Sequence, residues 1–392
     1  MHSVIRKRQG LPWAPEEPKG MGVNGSHLVG VQVTAGPPPV DDLGLAYSQR
    51  GHPKLVKQVV SADEALRRKA LAHVCEQLRY ARETASFLPA GIVPALNQSA
   101  EHKTDAETRT LATAALARLS LEGNGREHML MAGPSASVPV LLRLVVDPEP
   151  AVRANALATV VRLGKDASCA PALIEGGAAA LLVTRCTEEG EELLAAALAA
   201  LEAIMMTSAD ALQTAIGKGT IGIIANLLST GPPPAVCEHA CYCLHALAVD
   251  GKEKLAAKDA GCCQHLIRLI EKYGASDDEA NERVATAAAA ALMIITIDND
   301  CKAEAVRAGA VKALAPLLAT ALEVEVQEGL SPANSTLTAN VMKCIANLAE
   351  HPLGRSQLKK AALSDLLPLA DGGEEGVTKH AAIAVQKVTW EP

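Results

Sequence analysis

The sequence predicts an all-α fold, a solenoid of about eight three-helix units over residues 43–392, and three observations carry that prediction. The first is a recurring glycine between two apolar helical stretches. It is Gly91 in PAGIVPAL, Gly133 in MAGPSASVPVLL, Gly177 in IEGGAAALLV, Gly219 in GKGTIGIIANLL, Gly261 in DAGCCQHLIRLI and Gly309 in RAGAVKALAPLL, with Ala361 of KKAALSDLLPL in the same place. Successive separations are 42, 44, 42, 42, 48 and 52 residues. The second is an independent ruler, the last large apolar residue of each long alanine-rich helix. It falls at Leu78, Leu119, Leu163, Ile204, Leu247, Ile295, Leu348 and Val388, in steps of 41, 44, 41, 43, 48, 53 and 40. Both rulers place extra residues in the same two units, at 271–282 and 319–335, which read as loop insertions that leave the stacking period intact. The third is composition. With 49% hydrophobic residues but one Phe, two Trp and four Tyr, the core must be filled by Ala, Leu, Val and Ile, which suits helices packed closely on small side chains.

In chain order, residues 1–42 are rich in Pro and Gly, with PWAPEEPKGMG and TAGPPPVDD and no sustained period, and read as an N-terminal arm. From residue 43 apolar residues recur at helical spacing. Each unit reads as a short first helix ending in Ala-Gly, a second helix with Leu-Leu pairs, a polar loop and a long third helix. The bend between the first two helices needs a residue that tolerates positive φ, which explains the glycine. VATAAAAALMIIT, from Val284, is too short and too alanine-rich to span a bilayer and reads as a buried third helix. The acidic runs TEEGEE (187–192) and SDDEANE (276–282) precede third helices, where negative charge favours the helix N-terminus. Solvated caps are expected there, with a site for a basic partner as the alternative.

Several function classes are excluded by charge and motif. Thirty-seven Lys and Arg against 44 Asp and Glu, net −7, form no basic stripe, so neither nucleic acid nor a membrane surface is an expected partner. The start, MHSVIRKRQGLPW, lacks the apolar run of a secretory leader, so a cytoplasmic or cytoskeletal location and reduced thiols are expected for the ten cysteines. CEHACYCLH (237–245) resembles part of a metal site, but on a helix Cys237, Cys241 and His245 point at about 0°, 40° and 80° while His239 and Cys243 point at about 200° and 240°. The five cannot converge on one ion. Packing as small hydrophobes is the expected role. A zinc tetrahedron joining Cys237 and Cys241 to Cys262, Cys263 and His265, or redox sensing, remains the alternative. GKGTIG (217–222) satisfies G-x-G-x-x-G but follows a helix rather than a strand, which marks it as a repeat junction. His52, His73, His128, His351 and His380 fall in different units, and no nucleophile can be paired with a base. The sequence therefore predicts no enzyme, no catalytic residues, no cofactor, no metal ligand and no small-molecule substrate.

Three helices per unit with an Ala-Gly junction, at this period, resemble the armadillo repeat more than the two-helix HEAT unit. The resemblance implies a right-handed superhelical solenoid with a groove lined by third helices that binds proteins. Peptide-binding members of the family carry a Trp and an Asn on each third helix. Here the Trp position holds His73, Ala114, Ala158, Ala199, Tyr242, Ala290, Lys343 and Ile383, and the Asn position holds Gln77, Arg118, Arg162, Ala203, Ala246, Ile294, Asn347 and Lys387. One Tyr and one Asn make no ladder, which leaves Tyr242 and Asn347 as isolated partner-binding candidates.

At a finer level GLAYSQRGHPKLVKQVVSADEALRRKALAHVCEQL, ALMIITIDNDCKAEAVRAGAVKALAPLL, AEHPLGRSQLK and AAIAVQKVTWEP resemble the armadillo subunits of the radial spoke in the axoneme of motile cilia and flagella. The arm and residues 319–335 fall outside that resemblance. It implies a non-enzymatic structural scaffold of the cytoskeleton whose partners are other radial spoke subunits within the spoke stalk. A soluble armadillo adaptor for transport or signalling is the alternative. A stacked array also leaves apolar surface at its terminal units. Trp390 and, on the arm, Trp13 are the expected docking anchors, the alternative being that Trp390 folds back over Ala381, Ile383 and Val385.

Overall fold

The computed structural model describes residues 51–131, 136–276, 278–327, 329, 331–372 and 375–391. Trp13, Gly133 and the boundary between arm and array lie outside the described residues. Those described form 23 helices and no strand. Unit 1 contributes a second helix (Gly51–Val59) and a third (Glu64–Gln77). Complete units follow as Ala81–Phe87, Ile92–Ala100 and Ala106–Leu119, then Gly123–Leu130, Ser137–Leu144 and Pro150–Gly164, then Ala170–Glu175, Ala178–Glu188 and Glu191–Thr207. Unit 5 is Ala209–Gly217, Thr220–Ser229 and Pro234–Leu247, and unit 6 is Gly251–Asp259, Cys262–Tyr273 and Glu279–Ile295. Units 7 and 8 are Asn299–Arg307, Ala310–Gln327 and Pro332–Leu348, then Pro352–Ala361, Leu363–Asp371 and Glu375–Thr389.

Local signals set these boundaries. Asp63, Asp105, Asp278 and Ser331 cap third helices by accepting from backbone N–H groups in the first turn; Pro332 follows Ser331 in the first turn of the last of these, and Pro150 and Pro234 sit in the first turn of two others, where no N–H partner is lost. Gly91, Gly177, Gly219, Gly261 and Gly309 take φ between 70° and 94° where first and second helices meet, as the recurrence predicts. Unit 8 has no glycine there, and Ala362 makes the turn at φ −136° instead. GKGTIG is confirmed as such a junction, lying between Ala209–Gly217 and Thr220–Ser229.

All eight anchors of the second ruler are buried, and the core runs continuously from Leu55 to Val388. Third helices approach closely where side chains are smallest: a Cβ on Gly164 would lie 2.9 Å from Ile204 Cγ2. The expected loop at 319–335 is corrected. The second helix of unit 7 continues to Gln327 and the third begins at Pro332, because ATALEVEVQ consists largely of helix formers and nothing in it breaks a helix. No single described helix is long and apolar enough to cross a membrane. One pair bent by 78°, Asn299–Arg307 with Ala310–Glu325, passes on length and composition together. It comprises the first two helices of unit 7, and its Lys302 is buried against Glu350 within the array.

Candidate protein-binding surfaces

The third helices of units 1 to 3 each hold the next unit by an arginine near their N-termini. Arg67 donates Nη2 to Asp105 Oδ2 at 2.9 Å, Nε to Thr108 Oγ1 at 3.0 Å and Nη1 to the Ser61 carbonyl at 2.9 Å. Arg109 meets Asp147 with two bonds, 2.8 and 3.0 Å, and its own loop at His102 O. Arg153 does the same with Glu189, at 2.9 and 3.1 Å, and with Asp147 O. Burial pushes the Asp105 carboxyl up, but bonds from Arg68, Thr108 and Arg67 outweigh it and hold the group far below the usual carboxylate range. Glu189 belongs to TEEGEE, so that run is corrected in part: Glu189 is a nearly buried ion-pair partner rather than a solvated cap, whereas Glu191 and Glu192 are exposed in the first helical turn. In the second acidic run Asp278 is an exposed cap, as expected.

First helices carry a second row of clamps. Arg126 donates to Asp166 at 2.8 Å and to the Ser120 carbonyl at 3.0 Å. Bonds from Ser168 and Arg126 lower the Asp166 carboxyl to about 2. Lys302 pairs with Glu350, which also accepts from Lys387 at 2.5 Å and so joins units 7 and 8.

Between these rows run the third helices, and several of their polar side chains are committed to the array. Asn347 Nδ2 donates to Met293 O at 3.0 Å and lies 3.4 Å from Thr296 Oγ1. Arg162 occupies the same helical position in unit 3 and donates to Ala117 O at 3.0 Å. Asn155 reaches Thr110 O and Asn340 reaches Thr286 O, each on the preceding unit. His245 bonds Ala290 O on the following unit at 3.1 Å. Tyr242 is half-buried against the core in unit 5, two units from Asn347, so the structure does not bring these two candidates together. At the Trp position Ala114, Ala158 and Ala199 are half-buried and Ala290 buried, giving a floor of small residues without a row of free amides for an extended peptide backbone.

CEHACYCLH lies on the third helix of unit 5. Cys237, Cys241 and Cys243 are all buried there, with Cys262 and Cys263 buried opposite. Burial of all three cysteines agrees with the expected packing role. A third helix is covered by both neighbouring third helices, and Cys243 Sγ donates to Leu198 O of unit 4. His239 pairs with Glu202 at 2.8 Å instead. Burial raises the Cys262 and Cys263 thiols to about 12. Among the described residues no group of three or more His, Cys, Asp and Glu is placed to hold a metal ion.

Trp390 does not fold over Ala381, Ile383 and Val385. It is 52% exposed, with the Arg355 guanidinium 4.5 Å from its ring centre, while Glu391 pairs with Lys359 at 3.2 Å and Ile383 is itself exposed. Arg355 belongs to the same row as Arg126 and Lys302. The indole therefore takes the place that an acid fills in units 3 and 7, offering a π-face to the cation.

No protein-family model matches the chain, and no curated protein does. Solved structures do. An engineered protein superposes with a TM-score of 0.72 at 21% identity, over 87% of this chain and 79% of that one. A designed armadillo-repeat protein in complex with the peptide (KR)4 matches with a TM-score of 0.51 at 22% identity, over 64% of this chain and 99% of that one. A structure from work on a phosphorylation switch in the interaction of cadherin with β-catenin matches with a TM-score of 0.60 at 18% identity, over 86% of this chain and 60% of that one. The fold is an armadillo-repeat solenoid, an architecture whose extended surfaces serve protein interaction.

Proposed function

We propose that the chain is a non-enzymatic scaffold of the axonemal radial spoke, corresponding to radial spoke protein 8, the counterpart of the animal radial spoke head 14 homologue. On this reading it binds other spoke subunits within the stalk, through the solenoid surface and its ends. The sequence stretches quoted above support the identity. The observation that carries the scaffold role is the state of the groove. Asn347, Arg162, Asn155 and Asn340 each donate to a backbone carbonyl of the preceding unit, which favours a fixed structural part over the capture and release of extended peptides.

Separating cilia from cell bodies and identifying co-purifying proteins by mass spectrometry tests the proposal. Ciliary, stoichiometric retention that survives high salt, together with other spoke subunits, is the expected result. A soluble cell-body pool with exchangeable peptide ligands refutes it in favour of a transport or signalling adaptor.

A further inference from the structure

Two residues past each anchor the chain leaves, or in unit 4 is about to leave, a third helix toward the next unit. At that turn stands a large exposed apolar side chain in unit after unit: Tyr80, Leu121, Met206, Val249, Ile297 and Trp390. Lys165 and Glu350 interrupt the series, and the first and last members lie beside cations, Arg82 and Arg355. The uninterrupted run is Met206, Val249 and Ile297 on units 4, 5 and 6, exposed by 61%, 52% and 53%. Scattered surface hydrophobes need no explanation, but a row repeating at the period of the fold forms one edge. The edge is held together from below. Cys243 Sγ on unit 5 donates to Leu198 O on unit 4, and His245 on unit 5 bonds Ala290 O on unit 6. Within four positions of these three along the chain lie the exposed Asp210, Asp250 and Asp300, against one exposed cation, Lys252.

We propose that this edge docks an amphipathic α-helix of a partner protein, laid across units 4 to 6. The helix would present one apolar residue per heptad to Met206, Val249 and Ile297, and Lys or Arg beside it to the three aspartates. Spacing selects the helix. Packed helices stand about 8–10 Å apart, and a heptad rises about 10.5 Å along one face. A strand returns a side chain to the same face about every 6.7 Å, so one that matches the ends of the row leaves its middle member about 3 Å from the nearest side chain. Charge selects the sign, because an acidic edge favours a basic partner and penalises an acidic one.

This inference rests on reading the chain as a protein-binding scaffold, though not on which assembly contains it. Its test is binding of a fluorescent synthetic helix of about 21 residues, three heptads, with Leu at every seventh position and Lys on either side, measured by anisotropy on the full chain. A matched peptide carries Glu for Lys. The Lys peptide is expected to bind and the Glu peptide not to. Met206→Ser, Val249→Ser and Ile297→Ser together should weaken binding at least about tenfold with the melting temperature unchanged, since apolar anchors dominate such contacts. As a second variant, Asp210→Lys with Asp300→Lys should shift preference toward the Glu peptide.

Absence of binding by the Lys peptide overturns the proposal. So does wild-type affinity in the Ser variant, or in the Lys variant an unchanged preference. Concentration-dependent self-association abolished by the Ser variant overturns it as well, since a second copy then covers the edge. Ciliary fractionation is silent on this edge, so failure of the spoke reading and failure of the docking reading are seen separately.

Discussion

Replacing Asp105 by asparagine isolates the charge at the most buried clamp. The new side chain keeps an oxygen for Thr108 N–H, so the helix cap survives. Arg68 retains Glu64 and Glu107 as counterions. Arg67 does not: its side chain is 7% exposed, and Asp105 is its one carboxylate partner. Breaking a buried pair from one side costs about 3–5 kcal/mol. The surviving bonds from Arg67 to Ser61 O and Thr108 Oγ1 place Asp105→Asn near the lower end, about 3 kcal/mol. Asp105→Ala should lose about 1 kcal/mol more with the cap. Asp166→Asn is the control. Its pair with Arg126 is about a quarter exposed on both sides, and such a pair is worth about 1 kcal/mol or less.

Urea titration measures the totals and hydrogen exchange locates them. In a stacked array each unit touches only its neighbours, so protection should fall over residues 51–119 and stay unchanged over 279–391. The pH dependence has a definite sign. Because the folded Asp105 carboxyl lies below its unfolded value, its contribution is complete above the ordinary Asp range and is lost as pH falls through that range toward the folded value. Wild type should therefore lose stability on acidification below about pH 4, and Asp105→Asn should lose less. Equal costs for Asp105→Asn and Asp166→Asn, or protection lost evenly along the chain, would refute the reasoning.

Thiol chemistry should follow burial: at pH 8 the nine buried cysteines should resist a disulfide-exchange reagent in the folded chain and all ten should react in guanidinium, whereas rapid labelling of Cys262 or Cys263 in the folded state would contradict thiols held near 12. Gly125→Ala should destabilise, because its Cβ would lie 2.0 Å from Leu119 O where the first helix of unit 3 meets the preceding third helix. Gly222→Ala, with nothing within 4 Å, should instead add up to about 1 kcal/mol, and thermal melts of the pair distinguish the two. Arg355→Ala should expose Trp390 further, seen as a red shift of its fluorescence with little change in stability, since an exposed cation–π pair contributes about 0.5–1 kcal/mol.

What the sequence made legible is what each unit settles locally. The bend glycines announce themselves because an L-residue resists positive φ, and the anchors because a residue buried in every unit has to recur. What it concealed lies between units. Arg67, Arg109 and Arg153 recur at the repeat period, and Asp105, Asp147 and Glu189 are spaced 42 residues apart. Scanning for that spacing exposes the clamps. TEEGEE taken as an isolated run suggests only a cap, because the partner of Glu189 is 36 residues upstream. The bond from Cys243 to Leu198 O was concealed for a related reason, since one helix viewed alone shows no neighbour whereas a third helix in a stack has neighbours on both sides. The 319–335 segment was placed by register, which reports how many residues are inserted and not whether they are helical.

The clamps also divide the rod. Where units 1 to 3 place Arg67, Arg109 and Arg153, units 4 and 5 place Leu194 and Cys237, both buried. Third helices there meet through Ala197, Leu198, Leu201, Ala240 and Leu244, and the inter-unit ion pairs that remain, Glu202 with His239 and Glu238 with Arg283, are partly solvated. Salt and acid should therefore loosen the first three units well before the middle, because screening and protonation act on charge and leave apolar burial almost untouched. The exposed edge of Met206, Val249 and Ile297 sits on that middle section. Its affinity for a basic helix should fall with salt only through Asp210, Asp250 and Asp300, while the surface presenting them keeps its shape. A parallel loss of binding and of middle-unit exchange protection at high salt would show instead that the edge depends on the clamps, and that the division does not exist.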